Sequence, residues 1–333
     1  MTTASRPPSI GNAERDQRLN NLRQTMSANG LDAILITPGS NMRYFFAEAF
    51  YESERFVGIL LTADRTIFIC PKFEESAIRA KFPMASEMAF WEEHECPCAL
   101  IASLLAEAGC QRCALDPECS YGHAARLFDA LAQLEKPVLC GSAASVIAPL
   151  RAIKSQAEID LMIHAMQLTL SVHQKIFEWI KPVQFGEATS HPHGVPGDPA
   201  LQESELILID TGCTIDGYNS DITRTYALSK LDNEIERLWH AEKEAQQAAF
   251  GPDYDLPGLP HRTGHGIGLD IHEGPYLVKG DQTPLATGMC FSNEPMIVVP
   301  GAYGIRLEDH FYMTASGPKW FTRPQEDLYR PFG

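Results

Sequence analysis

Apolar residues follow two alternating patterns through the first half of the chain. Helical spacing is interrupted by short runs rich in β-branched and aromatic residues, and such runs are typical of strands. Gly30 and Gly109 stand where helices should end, because glycine readily adopts the left-handed conformation found there. The alternation predicts an α/β domain with a mixed sheet over residues 1–150. Its predicted strands are Asp32–Thr37, Phe56–Thr62, Thr66–Cys70 and Glu87–Trp91.

The pattern changes at Ser155, near the start of a second domain over residues 151–333. Ser155 and Glu158 form a capping-box signature, which predicts the first turn of an amphipathic helix. A second amphipathic helix is predicted from about Leu231 to Phe250, and strand-like runs cover residues 205–215, 218–228, 289–299 and 305–313. The apolar face of the first helix carries Ile159, Ile163, Met166, Leu170 and Phe177.

Composition narrows the possible functions. The 333 residues suffice for two domains, and 44% hydrophobic with 21% charged residues is typical of a globular protein. With 27 Lys and Arg against 43 Asp and Glu, the net charge is −16, so nucleic acid and membranes are not expected partners. Residues 1–12 lack the apolar core of a signal peptide, and no apolar run approaches the roughly 18 residues of a membrane span. We therefore expect a cytoplasmic protein.

Nine scattered cysteines, an odd number, indicate reduced thiols rather than a disulfide framework. Two close pairs, Cys96 with Cys98 and Cys110 with Cys113, leave a zinc site as an alternative. Structural zinc sites hold such pairs on turns, whereas these pairs flank the helical pattern of residues 99–108. Buried free thiols are the favoured interpretation.

One stretch of the second domain predicts its own strand pairing. Asp216-Gly217 between two β-rich runs is the signal of a two-residue type I′ turn. In the resulting register Asp210 and Asp221 are diagonal neighbours on one face, their Cα atoms roughly 7–8 Å apart, with Gly212 opposite Asp221. Two carboxylates this close repel each other unless a cation or a proton lies between them. Two solvated aspartates are the alternative, but the continuously apolar run before Asp210 indicates a buried strand.

A second hairpin is predicted across the turn-rich residues 300–304. If Val299 pairs with Ile305, then Glu294 faces His310, and Glu308 lies diagonal to Glu294 on the same face. The long connection and the proline after Glu294 both permit a bulge, so this register is open to a shift. Taken alone, the two glutamates would more often be surface charges than ligands.

Three histidines, His261, His265 and His272, lie within twelve positions between the two hairpins. The surrounding glycines cannot sustain a helix, which excludes a helical pair of zinc ligands. A single histidine here would usually be a hydrogen-bonded core or surface residue. Three together, beside candidate carboxylates, favour metal ligation or proton transfer.

These segments resemble the pita-bread metallopeptidases, and most closely the branch of Xaa-Pro dipeptidases (prolidases) and aminopeptidases P. The resemblance lies in Asp-Thr-Gly, Ser-Asp-Ile-Thr-Arg-Thr, Thr-Gly-His-Gly-Ile-Gly, Asn-Glu-Pro and Arg-Leu-Glu-Asp, and upstream in Pro-His-Gly at His193. It implies an α+β chain, with a creatinase-like α/β domain over residues 1–150 and a pita-bread catalytic domain over residues 151–333. All five ligand positions of the family are matched, by Asp210, Asp221, His265, Glu294 and Glu308.

The resemblance also implies a reaction. A hydroxide between two divalent ions, Mn²⁺, Co²⁺ or Zn²⁺, would attack the carbonyl of an X-Pro bond, most readily in X-Pro dipeptides. By resemblance Asp210 binds one ion, His265 and Glu294 bind the other, and the two remaining carboxylates bind both. Further roles are implied for His193 and His272 in stabilising or protonating the intermediate, for His261 in substrate binding, and for Arg306 in orienting ligands or gripping a substrate carboxylate.

Alternatives remain at this point. An aminopeptidase P acting on longer X-Pro-Y peptides shares the motifs, whereas a metal-free pita-bread binding protein would typically have lost ligands. Methionine aminopeptidase is disfavoured by the large first domain and by Arg306, and creatinase by the retained ligands. Small peptides are the expected binding partners, and the family implies a homodimer.

Two family segments of some tens of residues are absent, near residues 186–190 and near residues 250–251. The pseudo-symmetric core of the family could hardly close without the helices that these segments contain. We therefore expect the backbone to be interrupted at both places rather than joined across a true deletion.

Overall fold

The computed structural model describes residues 5–83, 87–179, 184–190, 205–248 and 262–332. They form two compact units. One is Ile10–Arg151, and the other comprises the described residues from Ala152 onward together with residues 5–9. None of the helices in these ranges is long and apolar enough to cross a membrane.

The first unit is built on a six-stranded sheet. Its strands are β1 (Ala33–Ile36), β2 (Gly58–Thr62), β3 (Thr66–Pro71), β4 (Glu87–Trp91), β5 (Arg112–Leu115) and β6 (Leu139–Ser142), and its helices are α1 (Asn12–Ala28), α2 (Ser40–Phe46), α3 (Glu75–Lys81), α4 (Pro97–Glu107), α5 (Tyr121–Ala132) and α6 (Ala144–Ala152), the last of which runs into the second unit. The strand order is β4-β3-β2-β1-β5-β6, antiparallel between β1 and β2 and between β2 and β3, and parallel elsewhere. The predicted mixed sheet is confirmed, with β5 and β6 as additional strands.

Two helices of this unit end as the glycine positions predicted. Gly30 and Gly109 have φ values of 64° and 68°, in the left-handed region. After α1 the Leu31 N–H donates to the Met26 carbonyl, which closes the final turn in the manner of a Schellman motif.

The second unit contains two helices and ten strands in the described ranges. The helices are α7 (Gln156–Trp179) and α8 (Asn233–Ala248), and the strands are β7 (Gln184–Phe185), β8 (Ile207–Ile215), β9 (Tyr218–Tyr226), β10 (Gly264–Gly266), β11 (Glu273–Leu277), β12 (Cys290–Asn293), β13 (Met296–Val299), β14 (Tyr303–Arg306), β15 (Asp309–Thr314) and β16 (Gly317–Trp320). They form sheets of order β7-β8-β9, β11-β10-β12-β15-β16 and β13-β14.

The capping box at the start of α7 is present in both directions. The Ser155 N–H donates to Glu158 Oε2 at 2.8 Å, and the Glu158 N–H donates to Ser155 Oγ at 3.2 Å. The buried face of the helix is rotated from the predicted one: Ile159 and Met166 are buried, whereas Ile163, Leu170 and Phe177 are only partly buried. Polar residues share the buried face, because Thr169 and His173 bond to groups on β8 and β9.

The first hairpin has the predicted register. Asp216 and Gly217 both have positive φ, 52° and 89°, as a type I′ turn requires. Asp221 lies opposite Gly212. A Cβ at Gly212 would lie 2.0 Å from the Ser220 carbonyl oxygen, so only glycine allows the strands to approach here.

The second hairpin differs from the prediction. Val299 pairs with Tyr303 instead of Ile305, because the loop has three residues and closes with a hydrogen bond from the Ala302 N–H to the Val299 carbonyl. Gly301 supplies the positive φ, 72°, that such a short loop needs. The register therefore shifts by two residues along both ladders.

The shift changes which residues face each other. Ser292, rather than Glu294, lies opposite His310. Each long predicted strand is also split into two, at Glu294-Pro295 and at Leu307-Glu308. Glu294 and Glu308 thus each lie at the break in their own strand, where the residue belongs to neither of the two ladders.

The two predicted junctions fall largely outside the described residues. Residues 186–190 form one 3-10 helix, Gly186–Ser190, while residues 191–204 and 249–261 lie outside the described ranges. The expected interruptions of the backbone therefore stay predictions.

Candidate metal centre

Three of the predicted ligands converge at one point in the second unit. One ligand atom each of Asp221, His265 and Glu308 lies within 4.8 Å of the other two. The aspartate comes from β9, the histidine from β10 and the glutamate from the break before β15. His265 and Glu308 are buried and Asp221 is half-buried, so the cluster lies below the surface.

His265 presents one ring nitrogen to this cluster. Its Nδ1 lies 3.0 Å from the Gly266 carbonyl oxygen, which can only accept a hydrogen bond, so Nδ1 carries the proton. The other nitrogen, Nε2, is buried and has no hydrogen-bond partner among the described residues. Its nearest carboxylate contact, Glu294 Oε1, is 3.4 Å away, at ion-pair distance. A buried imidazole lone pair aimed at carboxylates is the arrangement that a divalent cation satisfies.

Glycine beside His265 brings its strand close to β12. A Cβ at Gly264 would lie 2.0 Å from the Ser292 carbonyl oxygen. The glycine therefore sets the depth at which the His265 ring enters the site.

Glu308 is held by hydroxyl groups on both oxygens. Thr223 Oγ1 donates to Oε2 at 2.7 Å, and Ser292 Oγ donates to Oε1 at 2.5 Å. Burial raises the pKa of Glu308 well above its ordinary value, and the charges of Asp221, Glu294 and Asp210 raise it further. A positive charge close to this carboxylate would favour its ionised form.

Asp221 is subject to the same two effects, burial and nearby negative charge. Burial, followed by the charges of Asp210 and Glu294, raises its pKa to about 7. Its backbone N–H donates to His310 Nε2 at 3.2 Å. Burial lowers the pKa of His310 to about 3, so the ring is neutral and can accept this bond.

Arg306 links the remaining two carboxylates. It is almost fully buried, forms an ion pair with Asp210, and lies 4.0 Å from Glu294 through its other terminal nitrogen. Its Nε donates to Thr223 Oγ1 at 2.9 Å. The guanidinium therefore lies between Asp210 and Glu294, and Glu294 in turn lies 3.4 Å from His265 of the cluster.

Of the predicted histidines, only His265 and His272 lie within the described residues. The ring of His272 packs edge-on against that of His265, with centroids 4.3 Å apart and planes at 87°. His272 is exposed, so it lies at the solvent side of the cluster. His193 and His261 lie outside the described residues.

Sequence reasoning missed the residues that hold the ligands in place. These are Thr223, Ser292 and the buried ion pair of Arg224 with Asp309, whose two hydrogen bonds are 2.7 and 3.1 Å long and whose arginine also donates to the Glu308 carbonyl. His310 was placed opposite Glu294, but its contact is with the Asp221 N–H. A signal for Thr223 existed, since the first register already places it opposite Asp210. Ser292 carried none, because its predicted partner was wrong by two residues.

The donor set fits a divalent cation. It offers carboxylates of raised proton affinity and one imidazole whose free nitrogen is buried, and these hard oxygen donors with one nitrogen suit Mn²⁺, Co²⁺ or Zn²⁺ alike. Within the described ranges, no other group of three histidine, cysteine or acidic side chains is close enough to hold a metal ion. The zinc alternative at the cysteine pairs is thus not supported, and the described cysteines are free thiols.

Comparison with known proteins gives consistent results for both units. Residues 18–153 match the creatinase/prolidase N-terminal domain, and residues 128–251 and 254–315 match metallopeptidase family M24. A probable dipeptidase PepE from Mycobacterium tuberculosis is 30% identical over 341 residues, covering 86% of this chain and 89% of the relative. A Xaa-Pro dipeptidase from Lactobacillus delbrueckii is 35% identical over 200 residues, covering 54% and 52%.

Solved structures similar to this chain include a dipeptidase and a prolidase. The dipeptidase PepE from Mycobacterium ulcerans has a TM-score of 0.86 at 28% identity, covering 96% of this chain and 99% of that one. A prolidase from Thermococcus sibiricus, at 22% identity, shares the fold with a TM-score of 0.84 over 96% and 99% of the two chains. With both units matched and the carboxylate and histidine cluster in place, the chain belongs to metallopeptidase family M24 and carries its creatinase/prolidase N-terminal domain.

Proposed function

We propose that this protein is a Xaa-Pro dipeptidase that uses two divalent cations. The observation that carries the proposal is the buried His265 Nε2, without a hydrogen-bond partner among the described residues and grouped with carboxylate oxygens of Asp221 and Glu308. The names of the relatives, dipeptidase and Xaa-Pro dipeptidase, support the substrate class.

The ligand roles are proposed from the family resemblance. Asp210 would hold one ion, His265 and Glu294 would hold the other, and Asp221 and Glu308 would contribute to both. When bound, such ions activate water at neutral pH and polarise the scissile carbonyl. The proposed ions are Mn²⁺, Co²⁺ or Zn²⁺, and the proposed assembly is a homodimer.

The residues around the proposed ligands fix the orientation of their side chains. Thr223 and Ser292 direct both oxygens of Glu308, and the Nδ1–H bond to the Gly266 carbonyl keeps the Nε2 lone pair of His265 free. Fixed orientation of this kind lowers the cost of assembling several like charges around a cation.

Arg306 is proposed as a positioning residue rather than a substrate clamp. Its guanidinium already contacts Asp210, Glu294 and Thr223, and it is almost fully buried. The free carboxylate of a dipeptide therefore needs another partner. His272, exposed at the edge of the cluster, is the candidate among the described residues for binding this carboxylate or for protonating the departing nitrogen.

Specificity for proline has a chemical reason. The proline nitrogen carries no hydrogen, and the proline ring fixes φ. A site that recognises the shape of the residue after the scissile bond therefore selects proline. His193 and His261 remain proposed contributors to catalysis and to substrate binding, respectively.

The test is a hydrolysis panel with purified protein and added Mn²⁺, Co²⁺ or Zn²⁺. Substrates are X-Pro dipeptides, X-Pro-Y tripeptides and Met-Ala peptides, and a His265→Ala variant serves as the inactive control. We expect metal-dependent cleavage of X-Pro dipeptides above all others. Faster cleavage of X-Pro-Y would make the enzyme an aminopeptidase P, faster cleavage of Met-Ala would overturn the proline specificity, and purified protein that binds none of the metals would favour a binding protein.

A further inference from the structure

Two cysteines lie side by side at one edge of the six-stranded sheet in the first unit. Cys113 of β5 and Cys140 of β6 are paired directly in the parallel ladder. Paired residues on adjacent strands have Cα atoms about 5 Å apart and side chains on the same face. Disulfides span Cα separations of about 4.4–6.8 Å, a range that includes the spacing of paired residues on adjacent strands.

Both thiols face the same apolar layer but differ in access. Cys113 is only 4% exposed and belongs to the core formed with Leu127 and Leu131 of α5. Cys140 packs against that core yet is half-buried. Its strand, β6, is the edge of the sheet and pairs only with β5, so small molecules reach Cys140 more readily than Cys113.

The two side chains are close enough to influence each other's ionisation. The neighbouring Cys140 side chain, together with burial, raises the pKa of Cys113, and the neighbouring Cys113 side chain lowers the pKa of Cys140. Because Cys140 is also the more accessible of the two, it is assigned as the attacking thiol, and the buried Cys113 is assigned as the resolving thiol.

We propose that Cys113 and Cys140 form a thiol–disulfide exchange site that reacts with low-molecular-weight disulfides and closes to an intrachain disulfide. The Cys140 thiolate attacks one sulfur of RSSR, forming a mixed disulfide and releasing RS⁻. Cys113 then loses its proton and attacks the Cys140 sulfur, which forms the Cys113–Cys140 bond and releases the second RS⁻. In sum, two protein thiols lose two electrons and two protons, and RSSR becomes two RSH.

The site is independent of the peptidase proposal, because its residues belong to the first unit. It also gives the predicted free thiols a role beyond packing. A reversible bond suits a thiol pair in a reducing compartment, where persistent structural disulfides are rare.

The test begins with wild-type protein, so it does not depend on a variant that folds. The full chain is equilibrated with mixtures of reduced and oxidised glutathione, free thiols are alkylated, and disulfide-linked peptides are mapped by mass spectrometry. We expect a Cys113–Cys140 linkage as the first to form, reversed by added reductant. A first linkage between Cys96 and Cys98, or between Cys119 and Cys140, would overturn the proposal, as would full alkylation of both thiols under oxidising mixtures.

Single cysteine variants distinguish the attacking thiol from the resolving thiol. Cys113→Ser should accumulate one glutathione on Cys140, because the resolving thiol is gone, whereas Cys140→Ser should leave Cys113 unmodified. Cys70→Ser is the matched control, since Cys70 is a buried thiol of the same sheet that pairs with Phe90 rather than with a cysteine. Glutathione on Cys113 in the Cys140→Ser variant, or loss of the linkage in the Cys70→Ser variant, would contradict the assigned order of attack.

Discussion

The hydroxyl of Thr223 is the point at which the proposed metal site can be tested most sharply. It donates to Glu308 Oε2 at 2.7 Å and accepts a hydrogen bond from Arg306 Nε at 2.9 Å. Thr223 is fully buried on β9, where valine has nearly the same shape and suits a strand. The Thr223→Val substitution therefore removes two hydrogen bonds to charged groups while filling the same space.

The expected loss can be estimated from these contacts. A hydrogen bond to a charged group contributes about 1.5–3 kcal/mol, and removing a partner that orients a metal ligand typically costs about 10–100-fold in metal affinity. Only one of the two bonds, that to Glu308, reaches a candidate ligand, and for that bond the two figures agree, since about 1.4 kcal/mol is a factor of ten. We expect Thr223→Val to weaken binding of Mn²⁺ or Co²⁺ by about 10–100-fold, measured by calorimetric titration of metal-free protein.

Thr225→Val is the matched control. Thr225 lies two residues further along the same strand and is also fully buried, but among the described residues its hydroxyl bonds to the backbone carbonyl and N–H of Arg306 alone. Its loss should lower stability in urea by about 1–3 kcal/mol, comparable to the loss in Thr223→Val, because buried backbone groups lose their partner. Metal affinity should change by less than about threefold. Equal weakening of metal binding in both variants would refute a specific role for the Thr223 hydroxyl.

Three further outcomes are expected. Asp221→Asn should abolish turnover and lower metal content, measured by elemental analysis, because a shared carboxylate compensates both ions; full activity in excess metal would contradict the site. Arg306→Lys should lower kcat while KM for an X-Pro dipeptide stays within about threefold, since the side chain contacts Asp210 rather than solvent; a large rise in KM alone would restore its role as a substrate clamp. Burial, assisted by the nearby Arg224 charge, lowers the pKa of His173 to about 3, so the unfolded chain binds a proton that the folded chain does not. Stability should therefore fall as pH drops from about 6.5 toward 3, by up to roughly 1.4 kcal/mol per unit from this histidine. His173→Gln should lessen that slope in urea titrations at several pH values but not remove it, because burial lowers the pKa of His310 to about 3 as well.

Local signals in the sequence were sufficient for much of the fold. The capping box at Ser155, the helix ends at Gly30 and Gly109, and the type I′ turn at Asp216 each depend on a few neighbouring residues. Their backbone energies are set within that short window, so the pattern alone predicts them. The first hairpin then follows, because a two-residue turn admits a single register. The proximity of Asp210 and Asp221 was for this reason predictable without any tertiary information.

The rest of the site required the tertiary structure. The register of the second hairpin depended on a loop of three residues rather than five, and the sequence permits both lengths. The partners of Glu308 come from β9 and β12, and the charge that Arg306 contacts comes from β8, all distant along the chain. Whether a buried arginine serves a substrate or a neighbouring carboxylate is decided by which strands pack together, because ion pairs and hydroxyl contacts form only where separate segments meet in a site that excludes water.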